Sequence, residues 1–94
     1  MTNIEREDNG KKGRFVIYED DQFAGEMTYV WAGESRFIID HTGVEDGYAG
    51  RGLGKQLVMK AVAYARSNGL KILPLCPFAE KVFDRENDIQ DVRV

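Results

Sequence analysis

The first half of the chain alternates between apolar and polar residues with the period of a β-strand. Three such runs, at residues 15–18, 23–31 and 36–42, are separated by short polar or glycine-containing segments. In the second run the large apolar side chains share one face, namely Phe23, Met27, Tyr29 and Trp31. The pattern predicts an antiparallel meander of three strands with one buried face. Residues 1–12 are polar and have no period, which predicts a weakly ordered start.

The period changes to that of a helix after a glycine-rich segment. Five glycines lie between positions 43 and 54, and the apolar residues that follow recur at helical spacing: Leu53, Leu57, Val58, Ala61, Val62 and Ala65. Asn68-Gly69 ends this helix. Residues 70–76 predict a fourth strand, in which Pro74 indicates an edge position or a bulge, and Pro77 begins a second helix.

The predicted order is therefore β-β-β-α-β-α, an α/β (α+β) fold with a single domain over residues 1–94. The sheet is mixed. Its first three strands form the antiparallel meander, and the helix between the third and fourth strands makes those two parallel, with a right-handed crossover.

Length and composition restrict the class of protein. The chain has 94 residues, of which 43% are hydrophobic and 31% charged, and this suits one domain rather than a larger α/β enzyme fold. No apolar run approaches the roughly 18 residues of a membrane span, and the N-terminus has no secretory signal. We therefore expect a cytoplasmic protein without a membrane partner. One Cys and one His exclude an internal disulfide and leave too few such ligands for a zinc site.

The net charge of −3 is divided unevenly along the chain. It argues against a nucleic-acid partner. However, residues 1–50 hold 5 Lys or Arg and 11 Asp or Glu, for a net −6, whereas residues 51–94 hold 8 and 5, for a net +3. Five basic residues and no acid lie from Arg51 to Lys71. This segment is either a solvated basic helix face or part of a site for an anionic ligand.

The segment Gly50-Arg51-Gly52-Leu53-Gly54-Lys55 lies between a predicted strand and a predicted helix. Glycines let the backbone bend tightly there and approach a ligand, and the unpaired N–H groups of a helix start favour an anion. A Walker A loop is excluded, because Ala49 and Gln56 stand where it needs Gly and Ser or Thr. The dinucleotide pattern Gly-x-Gly-x-x-Gly is absent as well. The segment is therefore another kind of phosphate loop, or a flexible loop that packs at the helix start.

Three pieces of the sequence, taken together, resemble a known family. They are His41-Thr42-Gly43-Val44, the glycine loop with Lys55-Gln56-Leu57-Val58, and Pro74-Leu75-Cys76-Pro77-Phe78. From about residue 14 to the C-terminus, the chain resembles the GNAT superfamily of acetyl-CoA-dependent N-acetyltransferases. Within it, the chain is similar to the small stand-alone family with His-Thr-x-Val, Gly-x-Gly and Cys-Pro-Phe signatures. The superfamily's loop pattern, Gln/Arg-x-x-Gly-x-Gly/Ala, falls on residues 49–54, with Ala49 in place of Gln or Arg.

This resemblance implies a compact GNAT-like fold, acetyl-CoA as co-substrate, and no metal. The strand before the loop would pair with the pantetheine arm, which places Thr42, Gly43 and Val44 along it. The loop and the helix start would hold the pyrophosphate, through Gly50, Arg51, Gly52, Leu53, Gly54 and Lys55. The thioester would lie where the strand of Ile72 diverges from the strand of Ile39.

Cys76 and His41 are the candidate catalytic residues. A helix N-terminus after Cys76 would stabilise its thiolate. The alternative is that Cys76 is a small buried hydrophobic residue, which is the commonest environment of cysteine. In the resembled family, the Cys-Pro-Phe cysteine is the suspected catalytic group. In a regular strand, His41 would share a face with Phe37 and Ile39, as a core residue or as a base. The strands of His41 and Cys76 are predicted to end at the same sheet edge.

We therefore expect an acetyl-CoA-dependent N-acetyltransferase that acts on an unidentified amine. Either the amine attacks directly, with His41 or water as base and Cys76 as acid, or Cys76 first takes the acetyl group. The alternatives are a non-catalytic module that binds CoA or an acyl-CoA, and an interaction protein without a ligand. The acceptor is a small-molecule or protein amine, and the acidic first half favours a cationic one. The oligomeric state is left open, with a monomer favoured. Tyr29 and Trp31 belong either to the core, which is favoured, or to an interface.

Overall fold

Five strands in the order β1-β2-β3-β4-β5 form one mixed sheet in the computed structural model, which describes residues 1–94. The strands are β1 (Thr2–Asp8), β2 (Lys12–Glu19), β3 (Gln22–Trp31), β4 (Arg36–Val44) and β5 (Lys71–Pro74). The helices are α1 (Leu53–Asn68) and α2 (Pro77–Arg85), with 3₁₀ segments at Asp46–Tyr48 and Asn87–Val92. Neighbours from β1 to β4 are antiparallel and β4 is parallel to β5, which confirms the predicted mixed fold.

β1 is an addition to the predicted architecture, because residues 1–12 were expected to be weakly ordered. It pairs with β2 over its whole length. Only Ile4 in this strand is partly buried, so the strand has almost no apolar alternation from which it could be predicted. Backbone pairing and polar contacts hold it instead, such as the ion pair between Arg14 Nε and Glu7 Oε1 at 3.0 Å.

One face of the sheet carries the hydrophobic core. The buried stripe of α1 is the predicted one, and it packs on the sheet residues Phe15, Met27, Tyr29, Phe37 and Ile39. α2 and the second 3₁₀ segment extend the same core. Gly69 ends α1 in the left-handed conformation, with φ of 65°. Neither helix has the length and apolar character that crossing a membrane requires.

A bulge in β4 changes which of its side chains face the core. Tyr29 lies opposite Ile39, but the preceding Thr28 lies opposite His41, so Asp40 is an extra residue on this strand. If Asp40 were paired regularly, His41 would lie on the same face as Ile39, because side chains alternate along a strand.

The residues after the bulge are therefore placed differently from the prediction. Thr42 lies opposite the buried Met27, on the face that α1 covers. His41 lies opposite Thr28 on the other face and is exposed. The expectation that His41 shares a face with Ile39 is wrong, because it assumed a regular strand.

A second bulge has a similar effect in β3. Ile17 lies opposite Gly25 and Tyr18 opposite Phe23, so Ala24 is the extra residue. Ala24 is buried and Phe23 is 40% exposed. The predicted place of Phe23 on the buried face is therefore wrong for the same physical reason.

Candidate functional site

β4 and β5 diverge after a short parallel contact. Their pairing ends at Ile39 opposite Pro74, and the Ile39 carbonyl accepts hydrogen bonds from the N–H groups of Leu75 at 3.1 Å and Cys76 at 3.0 Å. β4 continues to Val44 and is paired there only with β3. This leaves one backbone edge of β4 without a strand partner.

A cleft of about 530 Å³ opens beside this edge. One wall is the glycine loop with the first turn of α1, and the other wall is one side of α2. Of the residues that the sequence assigns to the co-substrate, seven line the cleft: Thr42, Val44, Gly50, Gly52, Leu53, Gly54 and Lys55. Tyr48 and Ala49 complete this wall.

Gly50 and Gly52 give the loop its course. Their φ angles are 82° and 76°, in the left-handed region that other residues rarely adopt. No atom lies within 4 Å of the Cβ that either residue would carry, so the space beside them is open. Gly52 is the N-cap of α1 and offers no side-chain cap.

The first turn of α1 therefore has unused hydrogen-bond donors. The backbone N–H groups of Leu53, Gly54 and Lys55 donate to no protein acceptor. Free amides at the positive end of a 16-residue helix suit an anion such as a phosphate. The geometry of the loop thus fits the pyrophosphate that the sequence predicts for it.

Gly54 has a different function, which is to let α2 approach α1. A Cβ at this position would lie 2.6 Å from Phe78 Cζ, so a side chain here and the Phe78 ring could not both keep their places. Phe78 lines the cleft and is 41% exposed. The contact between Gly54 and Phe78 therefore sets the distance between the two walls at this point.

Three cations line the cleft. Lys55 pairs with Glu86 across its mouth, with Nζ and Oε1 3.4 Å apart. Lys81 and Arg85, on α2, take part in no ion pair. The cleft therefore keeps two uncompensated positive charges on its α2 wall.

Two residues predicted for the co-substrate lie outside the lining of the cleft. The Arg51 guanidinium lies over the Tyr48 ring, 5.3 Å from its centroid, and the residue is exposed. Gly43 lies in β4, opposite Glu26. Arg51 is thus at the rim of the loop rather than in the cleft.

The structure does not bring the two candidate catalytic residues together. Cys76 is the N-cap of α2, ahead of Pro77, and is 5% exposed. Its Sγ donates a hydrogen bond to Thr42 Oγ1 at 3.4 Å, and Thr42 lines the cleft. His41 is exposed on the opposite face of the sheet and makes no hydrogen bond to Cys76. The bulge at Asp40 is the cause, since it exchanges the faces of His41 and Thr42.

α2 contributes cleft residues that the sequence prediction missed. Phe78, Lys81, Val82 and Arg85 all face the cleft, and their spacing of three and four residues is that of one helix face. The signal was present in the sequence as two cations four residues apart beside an apolar stripe. From the sequence, this segment is predicted only as a second helix that begins at Pro77.

The sequence and the fold match one enzyme family. The family model of the GCN5-related N-acetyl-transferases matches residues 14–92. The chain belongs to this family. A GNAT of nearly the same length is similar over all of it, a GCN5-like candidate N-acetyltransferase from Staphylococcus aureus solved by NMR in solution. The two are 37% identical, the match covers 100% of this chain and 91% of the other, and the TM-score is 0.73. Membership of the family implies acetyl transfer.

Two larger GNAT structures share the fold. A ribosomal-protein-alanine N-acetyltransferase from Brucella melitensis is 16% identical, with 82% of this chain and 62% of that chain covered and a TM-score of 0.72. A GNAT family acetyltransferase from Elizabethkingia anophelis, solved with acetyl-CoA bound, is 11% identical, with 78% and 63% covered and a TM-score of 0.67. The present GNAT therefore spans less than two thirds of these chains. No curated protein matches it.

Proposed function

We propose that this GNAT transfers an acetyl group from acetyl-CoA to an amine. The observation that carries the proposal is the cleft, in which free amides at the start of α1 adjoin an unpaired edge of β4. The amides of Leu53, Gly54 and Lys55 suit the pyrophosphate, and the edge at Thr42, Gly43 and Val44 offers backbone groups to the pantetheine arm. A GNAT of the same fold that was solved with acetyl-CoA supports the co-substrate.

The thioester then lies near Cys76, where β4 and β5 diverge. The amine nitrogen attacks the acetyl carbonyl, the carbon–sulfur bond breaks, and the CoA sulfur leaves as a thiolate. The amine proton goes to water. Cys76 gives its proton to the thiolate and regains one from solvent, as a general acid. Its place beside Thr42, which lines the cleft, supports this role.

A direct attack is favoured over an acetyl-Cys76 intermediate. A thiol nucleophile gives up its proton to an adjacent base, yet the hydrogen-bond partner of the Cys76 thiol is the Thr42 hydroxyl. His41, on the other face, is not placed to act as that base. The absence of a base beside Cys76 also favours the second candidate function, a non-catalytic module that binds CoA or an acyl-CoA.

The first test is an NMR titration with CoA. Binding is expected to shift the amide signals of residues 50–55, because their N–H groups would contact the phosphates. The matched reference is Gly33, a glycine of positive φ between β3 and β4 that does not line the cleft. Unmoved signals at residues 50–55 would remove CoA as the ligand.

Turnover separates an enzyme from a binding module. We expect release of CoA from acetyl-CoA in the presence of a panel of amines, and saturable binding without turnover would establish the module instead. Intact-mass measurement then tests the role of Cys76. An acetyl adduct that Cys76→Ser abolishes and that amine discharges would support the covalent route. Full turnover by Cys76→Ala would contradict both roles of the thiol.

The acceptor is proposed to be a small-molecule or protein amine. The protein is proposed to act in the cytoplasm as a monomer, without a nucleic-acid or membrane partner. The net charge of −6 over residues 1–50 favours a cationic acceptor. Equal rates with neutral and cationic amines of similar size would contradict that preference.

A further inference from the structure

α2 presents two unpaired cations to the cleft. Lys81 and Arg85 are exposed on its lining and lie four residues apart, which is a repulsive arrangement for like charges on a helix. The acids of α2 do not relieve it, because Glu80 and Asp84 are absent from the cleft lining. Asp84 pairs instead with Arg93 at 3.0 Å. A repulsive pair that faces a cavity is the arrangement that an anionic ligand would stabilise.

The two cations lie away from the reactive end of the cleft. α2 begins after Cys76, and a helix advances about 1.5 Å per residue. Along the axis, Lys81 therefore lies about 7.5 Å and Arg85 about 13.5 Å beyond Cys76. The outer end of the cleft holds Glu86, which engages Lys55. The pair on α2 thus offers the free positive charge at the end opposite the thioester.

CoA carries two separate phosphate groups, and the cleft has two separate sets of donors. The free amides at the start of α1 suit the pyrophosphate. A phosphate monoester has a charge of about −1.5 to −2 near neutral pH, which two cations match. Arg binds such a group through two parallel hydrogen bonds, and Lys adds a point charge.

We propose that Lys81 and Arg85 bind the 3′-phosphate of CoA, so that the site selects CoA over its 3′-dephospho form. The inference rests on the proposed function, since it takes CoA as the ligand. It assigns the selectivity to α2 rather than to the glycine loop.

The test compares the dissociation constants of acetyl-CoA and acetyl-3′-dephospho-CoA by calorimetry. We expect the wild-type protein to bind acetyl-CoA about 10-fold to 100-fold more tightly, because the 3′-phosphate makes charge-assisted hydrogen bonds. In the double variant Lys81→Ala/Arg85→Ala the ratio should fall to near one, through loss of acetyl-CoA affinity alone. The control is Lys60→Ala, an exposed lysine of α1 outside the cleft lining, which should keep the wild-type ratio.

Three outcomes would overturn the inference. Equal affinity of the wild-type protein for both probes would refute it without any variant, so a misfolded variant cannot hide the result. An equal loss of affinity for both probes in the double variant would place the pair at the pyrophosphate instead. If the wild-type protein binds neither probe, the proposed function fails together with this inference.

Discussion

The two ends of β4 differ in how their polar groups are used. Near its start, the carboxylate of Asp8 accepts hydrogen bonds from Tyr29 Oη at 2.6 Å and Trp31 Nε1 at 2.8 Å. It also accepts one from the Gly10 N–H at 2.6 Å and pairs with Arg6 at 3.1 Å. Every polar atom of this cluster that is buried has a partner.

Near the end of β4, donors and charges lack partners. The amides of Leu53, Gly54 and Lys55 are free, and Lys81 and Arg85 form no ion pair. A polar group that already has a hydrogen-bond partner within the protein gains little free energy from a ligand, whereas a polar group without a partner gains a complete new interaction. The comparison indicates that the Asp8 end stabilises the fold and the glycine-loop end is kept for binding.

The largest expected effect comes from breaking the Asp8 end. Asp8→Ala leaves the Tyr29 hydroxyl, the Trp31 indole N–H and the Arg6 charge without their acceptor, and we expect a loss of about 3 kcal/mol in the free energy of unfolding. Urea denaturation measures it. Glu34→Ala, at an exposed turn, should change stability by under about 0.5 kcal/mol. Acetyl-CoA affinity of the folded Asp8 variant should stay at the wild-type value, and a large loss would contradict the division of roles.

The next effect is a loss of stability at high pH. Burial, together with the hydrogen bond to Asp8, raises the pKa of Tyr29 to about 12, above its ordinary value of 10.0. Because the folded pKa is the higher one, the contribution is complete below pH 10 and is lost as the pH rises to about 12. The loss is on the order of 2 kcal/mol.

Unfolding free energies measured between pH 9 and pH 12 test this dependence. Tyr29→Phe should flatten the curve in that window. Tyr18→Phe, on the other strand face, serves as the matched control and should leave the slope as it is. A slope that is the same in all three proteins would disprove the role of Tyr29.

A smaller effect is expected from straining the binding end. Gly52→Ala puts a side chain at φ of 76°, which costs about 1 kcal/mol or slightly more, and it should weaken acetyl-CoA binding by disturbing the free amides. Gly47→Ala is a matched control in the same segment, because Gly47 has neither a positive φ nor a crowded Cβ position. Gly52→Asn should be milder, since Asn tolerates this conformation. Equal affinities for the Gly47 and Gly52 variants would contradict the proposed role of the loop.

The smallest effect concerns the pair across the mouth of the cleft. Glu86→Gln frees Lys55, so acetyl-CoA should bind several-fold more tightly, with a gain that shrinks at high salt. Stability should change by less than about 0.5 kcal/mol, since both side chains of the pair are partly exposed to solvent. Calorimetry at two salt concentrations measures this, with Glu80→Gln on the same helix as control. Weaker binding by the Glu86 variant would mean that the carboxylate supports the site.

The fold could be predicted wherever one face of an element is buried. In α1 the apolar residues recur at helical spacing, and in β3 apolar and polar residues alternate, because one side of each element contacts the core. β1 could not be predicted, since only Ile4 in it is partly buried. It depends on backbone pairing with β2, which leaves no pattern in the sequence.

The candidate site could be predicted in part. The glycine loop could be predicted because the backbone needs glycine there: Gly50 and Gly52 both adopt positive φ angles. The relation of His41 to Cys76 was not predictable, because a bulge is a property of two paired strands rather than of one. The α2 wall was missed because Lys81 and Arg85 look like ordinary solvated charges until the cleft beside them is known.

The extra residue in β4, Asp40, also determines what a one-residue deletion in this strand would do. Deleting Asp40 would restore regular alternation and still leave His41 and Thr42 on their present faces, since Ile39 would be followed directly by His41. The bend that a bulge adds, at the point where β4 leaves β5, would be removed. Loss of one residue would thus narrow the opening between the strands without moving any side chain to the other side of the sheet.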